Sequence, residues 1–189
     1  MDTSVLDRAM IFAIKAHASV ERRGKGFPYI VHPMEAVAIT ATMTNDQELL
    51  AAAALHDILE DTDHTAEELE REFGKRIAHI VECESDEKFE NMTKADSWHE
   101  RKQIAMDRIK EQSREIKMVA LGDKLSNMRA ISRDYHEIGD ELWNRFNITD
   151  RAEHAWRYRG LADALADLSD TEAYREFTAL IDGVFGSRS

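Results

Sequence analysis

The feature that most constrains the fold is an unbroken run of leucine and alanine at residues 49–55, inside a segment, 47–60, that has no proline or glycine. Both residue types favour helices, and a helix that is apolar on every side is buried among other helices. The composition agrees, since the 189 residues include only 2 prolines and 8 glycines. The sequence therefore predicts an all-α fold in which segment 47–60 forms one helix in the middle of a single-domain helical bundle.

Apolar residues at helical spacing predict further helices on both sides of this segment. They cover residues 4–18, 32–45, 66–73, 75–83, 98–110, 115–131, 150–168 and 171–184. Thr65 with Glu68, and Ser169 with Glu172, predict capping boxes at two helix starts. The acidic stretch 84–97 has no helical pattern and is predicted to be a surface loop. No repeat or linker divides the chain, so one domain is predicted to include all 189 residues.

Charge and composition exclude several functions. Acidic residues outnumber basic ones 37 to 25, for a formal net charge of -12, whereas nucleic acids are bound by clustered basic groups. The single cysteine, Cys83, excludes an intrachain disulfide and a cysteine-based zinc site. No apolar stretch approaches the ~20 residues of a membrane span, and no secretory signal is visible. The expected location is the cytoplasm, with no membrane or nucleic-acid partner; the oligomeric state stays open, a homo-oligomer included.

Polar residues interrupt the apolar pattern at three places. At the first, His56 and Asp57 directly follow the apolar run, where a buried aspartate needs an ion partner or a metal. Glu60 and Asp61 follow four residues later, so in a continuous helix all four side chains share one side. Carboxylates packed this closely repel one another, and a cation would relieve the repulsion. The alternative is a helix end whose acidic residues lie in solvent.

The other two interruptions are distant along the chain. Asp123 and Asn127 continue the apolar face that includes Val119, which predicts that both are buried. His32 stands between an apolar strip and Pro33, an arrangement that fixes its direction and suits a metal ligand. The alternatives are a capped or salt-bridged aspartate and a structural histidine.

The order of these residues resembles the metal-binding signature of the HD superfamily, which has a histidine, then a His-Asp pair, then a distant aspartate. The surrounding sequences are PYIVHP at 28–33, LHDILEDT at 55–62 and GDKLSNMR at 122–129. They closely resemble the hydrolase domain of the RelA/SpoT family, which removes the 3′-pyrophosphate from the alarmone (p)ppGpp. The resemblance covers residues 5–160 and implies an HD-type helical fold.

The resemblance also implies a catalytic metal centre. A set of two imidazoles and two carboxylates suits Mn²⁺ among the divalent cations. The family resemblance also implies Mn²⁺. Glu60 and Asp61 match the acidic pair that orients or deprotonates the attacking water, and their position one turn beyond the ligands fits a general base. The implied metal ligands are His32, His56, Asp57 and Asp123.

Substrate contacts are implied in a basic loop and on three predicted helices. Arg23 matches an arginine that stacks on the guanine base, Lys25 would face phosphates, and Asn127 matches a residue near the sugar. The alternative for the loop is a solvated basic turn. Further candidates for phosphate binding are Arg101, Lys102 and Arg159.

Three departures from the family weaken the prediction of guanine as the base but leave the predicted metal site intact. Ala130 stands where a threonine is usual, and Ser126 replaces a frequent histidine. The usual Thr-Lys after the fifth helix is replaced by the acidic run 83–87.

The leading functional prediction is metal-dependent removal of the 3′-pyrophosphate of (p)ppGpp, a small-molecule nucleotide. A chain of 189 residues has no room for the synthetase and regulatory domains of the long family enzymes, which predicts a stand-alone hydrolase. One alternative is an HD phosphatase or phosphodiesterase that acts on another nucleotide. The other is a catalytically silent HD domain that binds a nucleotide as a sensor, although the presence of Glu60 and Asp61 argues against it.

Overall fold

The computed structural model describes residues 2–85 and 97–187, and most of these residues are helical. A lone antiparallel bridge, between Glu21 and Pro28, is the one extended pairing in these two ranges. The helices are α1 (Ser4–Ala16), α2 (Val31–Thr40), α3 (Gln47–Leu55), α4 (Ile58–Asp61), α5 (Ala66–Phe73), α6 (Lys75–Glu84), α7 (Trp98–Glu111), α8 (Arg114–Ile138), α9 (Arg151–Ala164) and α10 (Glu172–Phe185). The prediction of an all-α fold is confirmed.

Helix α3 lies at the centre of the first of two hydrophobic cores. Every residue from Leu49 to Leu55 is buried, and the helix packs against α1, α2, α6 and α8. Full burial of each leucine contributes roughly 1.5–3 kcal/mol. The long helix α8 belongs to both cores, and α9 and α10 complete the second. The predicted central position of the apolar run is confirmed.

Helices α2 and α8 approach each other closely at Gly122. A Cβ atom at this position would lie 2.3 Å from Thr40 Oγ1 and 2.9 Å from the Ala36 carbonyl oxygen. These distances are shorter than van der Waals contact, so a side chain would force the helices apart. The close approach sets the first turn of α2, which carries His32, against the part of α8 that carries Asp123.

The prediction of one helix over 47–60 is wrong at its C-terminal end. Helix α3 ends at Leu55, and α4 is a separate turn that begins at Ile58. Between them, Asp57 has φ -92° and ψ -1°, which is outside the regular α-helical range. In a continuous helix, neighbouring side chains point about 100° apart. The break allows His56 and Asp57 to point into the same space.

Two other predictions about helix ends have different outcomes. The capping box of Thr65 and Glu68 is confirmed. The second box is wrong, because α10 is capped by Thr171, whose Oγ1 accepts a hydrogen bond of 3.2 Å from the Tyr174 N–H. The chain makes a short 3₁₀ segment, Ala166–Leu168, before this helix, so Ser169 lies too early to cap it.

The predicted surface loop at 84–97 is wrong at both ends. Its last residue, Ser97, is buried. Glu84 is the last residue of α6 and is buried. Residues 86–96 lie outside the described part of the chain. In the described ranges, no helix is long and apolar enough to cross a membrane.

Candidate metal centre

Two imidazoles and two carboxylates meet between α2, the α3–α4 junction and α8. His32 Nε2 and His56 Nε2 lie 3.2 Å apart. Asp123 Oδ1 lies 3.1 Å from His32 Nε2 and 3.5 Å from His56 Nε2. Asp57 Oδ2 lies 2.9 Å from His56 Nε2 and 3.4 Å from His32 Nε2. The structure thus brings together the four side chains that the sequence suggested as metal ligands.

Each imidazole is held by a hydrogen bond at its other nitrogen. Ser126 Oγ donates to Glu35 Oε2 at 2.7 Å, so its oxygen accepts from His32 Nδ1–H at 2.8 Å. His56 Nδ1–H donates to the Ala53 carbonyl oxygen at 2.8 Å. With a hydrogen already on each Nδ1, the two Nε2 atoms are the ones that can bind a cation, and both point to the same place. Histidines that bind metals are oriented in this way.

Burial makes the charges of this cluster depend on one another. Burial disfavours ionised carboxylates, but the neighbouring His56 holds the pKa of Asp57 well below its usual range. Lys124 and His56 do the same for the pKa of Asp123. Burial also opposes a charged His56, yet the two aspartates raise its pKa well above the usual value. The cluster therefore requires positive charge between its carboxylates. A divalent cation bound to imidazole nitrogen and carboxylate oxygen meets this requirement, so the residues fit a metal.

Three residues beside the cluster were missed by sequence reasoning. Lys124 Nζ donates to Asp123 Oδ2 at 2.5 Å and lies 3.3 Å from Glu84 Oε2. Tyr29 OH donates to Asp57 Oδ2 at 2.6 Å. Burial opposes the charge on Lys124, but the carboxylates of Asp123 and Glu84 raise its pKa. Burial raises the pKa of Glu84. Lys124 could have been selected from the sequence, because it directly follows the predicted ligand Asp123. Nothing in the acidic run indicated that Glu84 is buried.

A cavity of about 220 Å³ opens beside the cluster. Glu60 and Asp61, the predicted catalytic pair, lie on α4 in its wall and are exposed. Lys102, from α7, also lines it, together with two arginines that the sequence analysis did not select, Arg22 and Arg157. Acidic and basic groups therefore share one small space next to the proposed metal position.

A second cavity, of about 330 Å³, shares a wall with the first. Asn127 lines both, and it donates from Nδ2 to Asp123 Oδ1 while its Oδ1 accepts from Arg22. The Arg22 guanidinium lies 5.1 Å from the centre of the Tyr29 ring. The remaining lining includes the basic and aromatic residues Arg23, Lys25, Trp98, Arg145, Phe146 and Tyr158, together with Asp134 and aliphatic side chains. Such a surface suits a planar, anionic ligand.

The structure separates the predicted substrate residues into two groups. Arg23, Lys25, Asn127 and Lys102 line the two cavities, although the Lys25 ammonium is already paired with Asp134. Arg101 and Arg159 line neither cavity. Arg101 Nε donates to Ser97 Oγ at 3.2 Å. Arg159 donates to the carbonyl oxygens of Phe185 and Gly186 at 3.3 and 2.8 Å, because it faces the C-terminal end of α10, where carbonyl groups lack helical partners.

Residues 9–146 match the HD domain family. The guanosine-3′,5′-bis(diphosphate) 3′-pyrophosphohydrolase MESH1 of Danio rerio is 38% identical over 134 residues, which cover 69% of this chain and 71% of that protein. The bifunctional (p)ppGpp synthase/hydrolase SpoT of Escherichia coli is 37% identical over 157 residues, covering 76% of this chain and 22% of SpoT.

A longer protein, GTP pyrophosphokinase rsh of Brucella ovis, is 30% identical over 190 residues. These cover 89% of this chain but 25% of the rsh protein, so the chain spans about a quarter of such relatives.

Solved structures are similar in fold. One, described as a metazoan ortholog of SpoT that hydrolyzes ppGpp, matches with a TM-score of 0.76 over 99% of both chains at 20% identity. Another, lmo0812 of Listeria monocytogenes EGD-e, matches with a TM-score of 0.72 over 82% of this chain and 99% of the other at 21% identity. Both confirm the helical architecture.

Proposed function

Because this chain belongs to the HD domain family, we propose that it is a metal-dependent hydrolase that removes the 3′-pyrophosphate of (p)ppGpp. The observation that carries the proposal is the convergence of two imidazole Nε2 atoms and two carboxylates beside an acidic pair and a basic cavity. MESH1, of which the chain covers 71%, has this activity in its name.

The proposed ligands are His32, His56, Asp57 and Asp123, and the proposed metal is Mn²⁺, which accepts such a mixed set of nitrogen and oxygen ligands. When bound, a divalent cation lowers the pKa of water and polarises a phosphoryl group. Glu60 and Asp61 would orient the attacking water and accept its proton, because they lie in the wall of the same cavity.

The basic residues around the cavities would neutralise the phosphates of the substrate. With a net charge of -12, the protein as a whole repels anions, so local positive charge is required. Arg22, Lys102 and Arg157 lie in the cavity of the metal centre, where the departing pyrophosphate would be. We propose that the second cavity holds the nucleoside, with Asn127 near the sugar and Arg23 on the base.

Turnover of a nucleotide panel by purified protein loaded with Mn²⁺ tests this function. We expect pyrophosphate release from ppGpp and pppGpp, which an enzyme-coupled assay measures. Turnover of another nucleotide, with (p)ppGpp left intact, would support a different HD phosphatase or phosphodiesterase. Nucleotide binding with no turnover, unchanged in Asp61→Asn, would support a sensor.

Arg23→Ala is expected to raise KM for ppGpp about fivefold and to leave kcat nearly unchanged. The side chain is exposed and lines the second cavity, so it would contact the base equally in the ground state and the transition state. A cation–π contact at such a position contributes roughly 1 kcal/mol. Steady-state kinetics measure both constants. The control is Arg133→Ala, an exposed arginine outside both cavities; equal KM values in the two variants would contradict the role of Arg23.

A further inference from the structure

We propose that Glu35 is a positioning residue of the metal centre, which acts through Ser126 to keep the His32 ring in the tautomer with hydrogen on Nδ1. The inference rests on the proposed function, since it concerns a proposed ligand of that site. The sequence did not select Glu35 as a candidate, and its side chain acts on His32 through Ser126, to which it is hydrogen-bonded.

The direction of the hydrogen bonds follows from the chemistry of three groups. An ionised carboxylate only accepts, so Ser126 must donate its single hydroxyl hydrogen to Glu35 Oε2, at 2.7 Å. The Ser126 oxygen can then only accept from His32 Nδ1, at 2.8 Å. The ring must therefore carry its hydrogen on Nδ1, which leaves Nε2 free for a cation. Ser126 is 2% exposed, so water does not compete for these bonds.

The Glu35 carboxylate is itself fixed by an arginine. Arg129 Nη1 lies 3.2 Å from Glu35 Oε1. The same guanidinium donates to both oxygens of Glu176, on α10, at 2.6 and 2.7 Å. Arg129 therefore occupies the other oxygen of Glu35 and keeps Oε2 directed at Ser126. The bonds form a relay from α10 through α8 and α2 to the metal centre.

The serine makes the tautomer of His32 depend on a further residue. Its hydroxyl has one hydrogen, whose direction a neighbour decides. In this protein the neighbour is Glu35.

Substitution of Glu35 by glutamine should reverse the relay. Arg129 is a donor, so it would attract the amide oxygen of Gln and turn the NH₂ group toward Ser126. Ser126 would then accept from the amide, and its own hydrogen would be free to bind His32 Nδ1. That arrangement moves the ring hydrogen to Nε2, where it blocks the cation. Ser126→Ala instead removes the bond and leaves the tautomer unrestrained.

We expect Glu35→Gln and Ser126→Ala to weaken Mn²⁺ binding about tenfold to a hundredfold, the usual effect of losing such an outer partner. Titration calorimetry measures the affinity. Nitrogen-15 NMR of the metal-free proteins, with the His32 signals assigned by His32→Gln, measures the tautomer. We expect hydrogen on Nδ1 in the wild type, on Nε2 in Glu35→Gln, and a mixture in Ser126→Ala.

Controls separate this proposal from a general loss of structure. Glu172→Gln changes a glutamate of α10 that pairs with Arg175 rather than with Arg129, and Ser132→Ala changes another buried serine of α8; both should keep wild-type affinity and tautomer. If the wild type bound no Mn²⁺ or hydrolysed no nucleotide, the proposed function would fail, while the NMR would still report on the relay. If both test variants kept the wild-type tautomer, whatever their affinity, the relay would be disproved and the proposed function left intact.

Discussion

Replacement of Asp123 by alanine is expected to leave the purified protein without bound divalent metal and to reduce hydrolysis about a thousandfold. Asp123 Oδ1 is within 3.5 Å of both imidazole Nε2 atoms, so its loss removes one proposed ligand and half of the negative charge of the cluster. A catalytic metal provides several kcal/mol of transition-state stabilisation, and about 4 kcal/mol corresponds to a thousandfold in rate. Elemental analysis and the pyrophosphate assay measure the two losses.

The variant should still fold. Removing one partner of a buried ion pair lowers the free energy of unfolding by about 3–5 kcal/mol when the other charge is left without a partner. Lys124, however, keeps a second carboxylate, because Glu84 Oε2 lies 3.3 Å from its Nζ. The loss of Asp123 also relieves its repulsion of Asp57. We therefore expect a helical circular dichroism spectrum like that of the wild type and a smaller loss of stability than this range.

The matched control is Asp134→Ala, a buried aspartate on the same helix that pairs with Lys25 and Arg145 rather than with the imidazoles. Its metal content should equal that of the wild type. Full metal occupancy in Asp123→Ala would refute the ligand assignment.

Asp61→Asn is expected to retain the metal and to lose roughly a hundredfold to ten-thousandfold in kcat, the range of a general base. The amide has nearly the same shape as the carboxylate but cannot accept a proton from water. Asp61 lies in the cavity wall and is exposed, so the substitution should not disturb the core. Metal content and kcat are measured on the same preparation, which separates catalysis from metal binding.

The kcat of Glu60→Gln, measured in parallel, shows how much each of the two acidic residues contributes to catalysis. Asp63→Asn is the control, because Asp63 is exposed two residues further on and does not line the cavity; its kcat should be close to that of the wild type. If Asp61→Asn and Glu60→Gln both kept full activity, the acidic pair would have no role in catalysis.

The sequence was sufficient to predict the helical fold and to select four residues that the structure brings together in the candidate site. Polar residues at positions where helical spacing requires apolar ones are costly, and that cost made His56, Asp57 and Asp123 visible without a structure. Their order along the chain, through the family resemblance, connected them with His32. These inferences depend on the spacing and the order of residues along the chain, and both can be taken directly from the sequence.

Features that depend on distant neighbours were not predictable. Glu84 reads as the start of a solvated acidic run, and its burial is understandable only beside Lys124, which comes from another helix. The break in the helix after Leu55 likewise depends on the cavity of the metal centre, which the consecutive side chains of His56 and Asp57 both line. Arg22 and Arg23 are indistinguishable in sequence, but the first bonds Asn127 and the second is exposed. The loop that carries them bends through Ser19, which has a positive φ of 63°.

The proposed ligands come from α2, the α3–α4 junction and α8, which meet around the first hydrophobic core, and none comes from α9 or α10. A cation held there would be a removable cross-link between segments that are far apart in the chain, and such links reduce the freedom of the unfolded chain most when the loops they close are long. A metal ion bound there would also hold α8, which belongs to both hydrophobic cores, so loss of the ion would lower the stability of both cores.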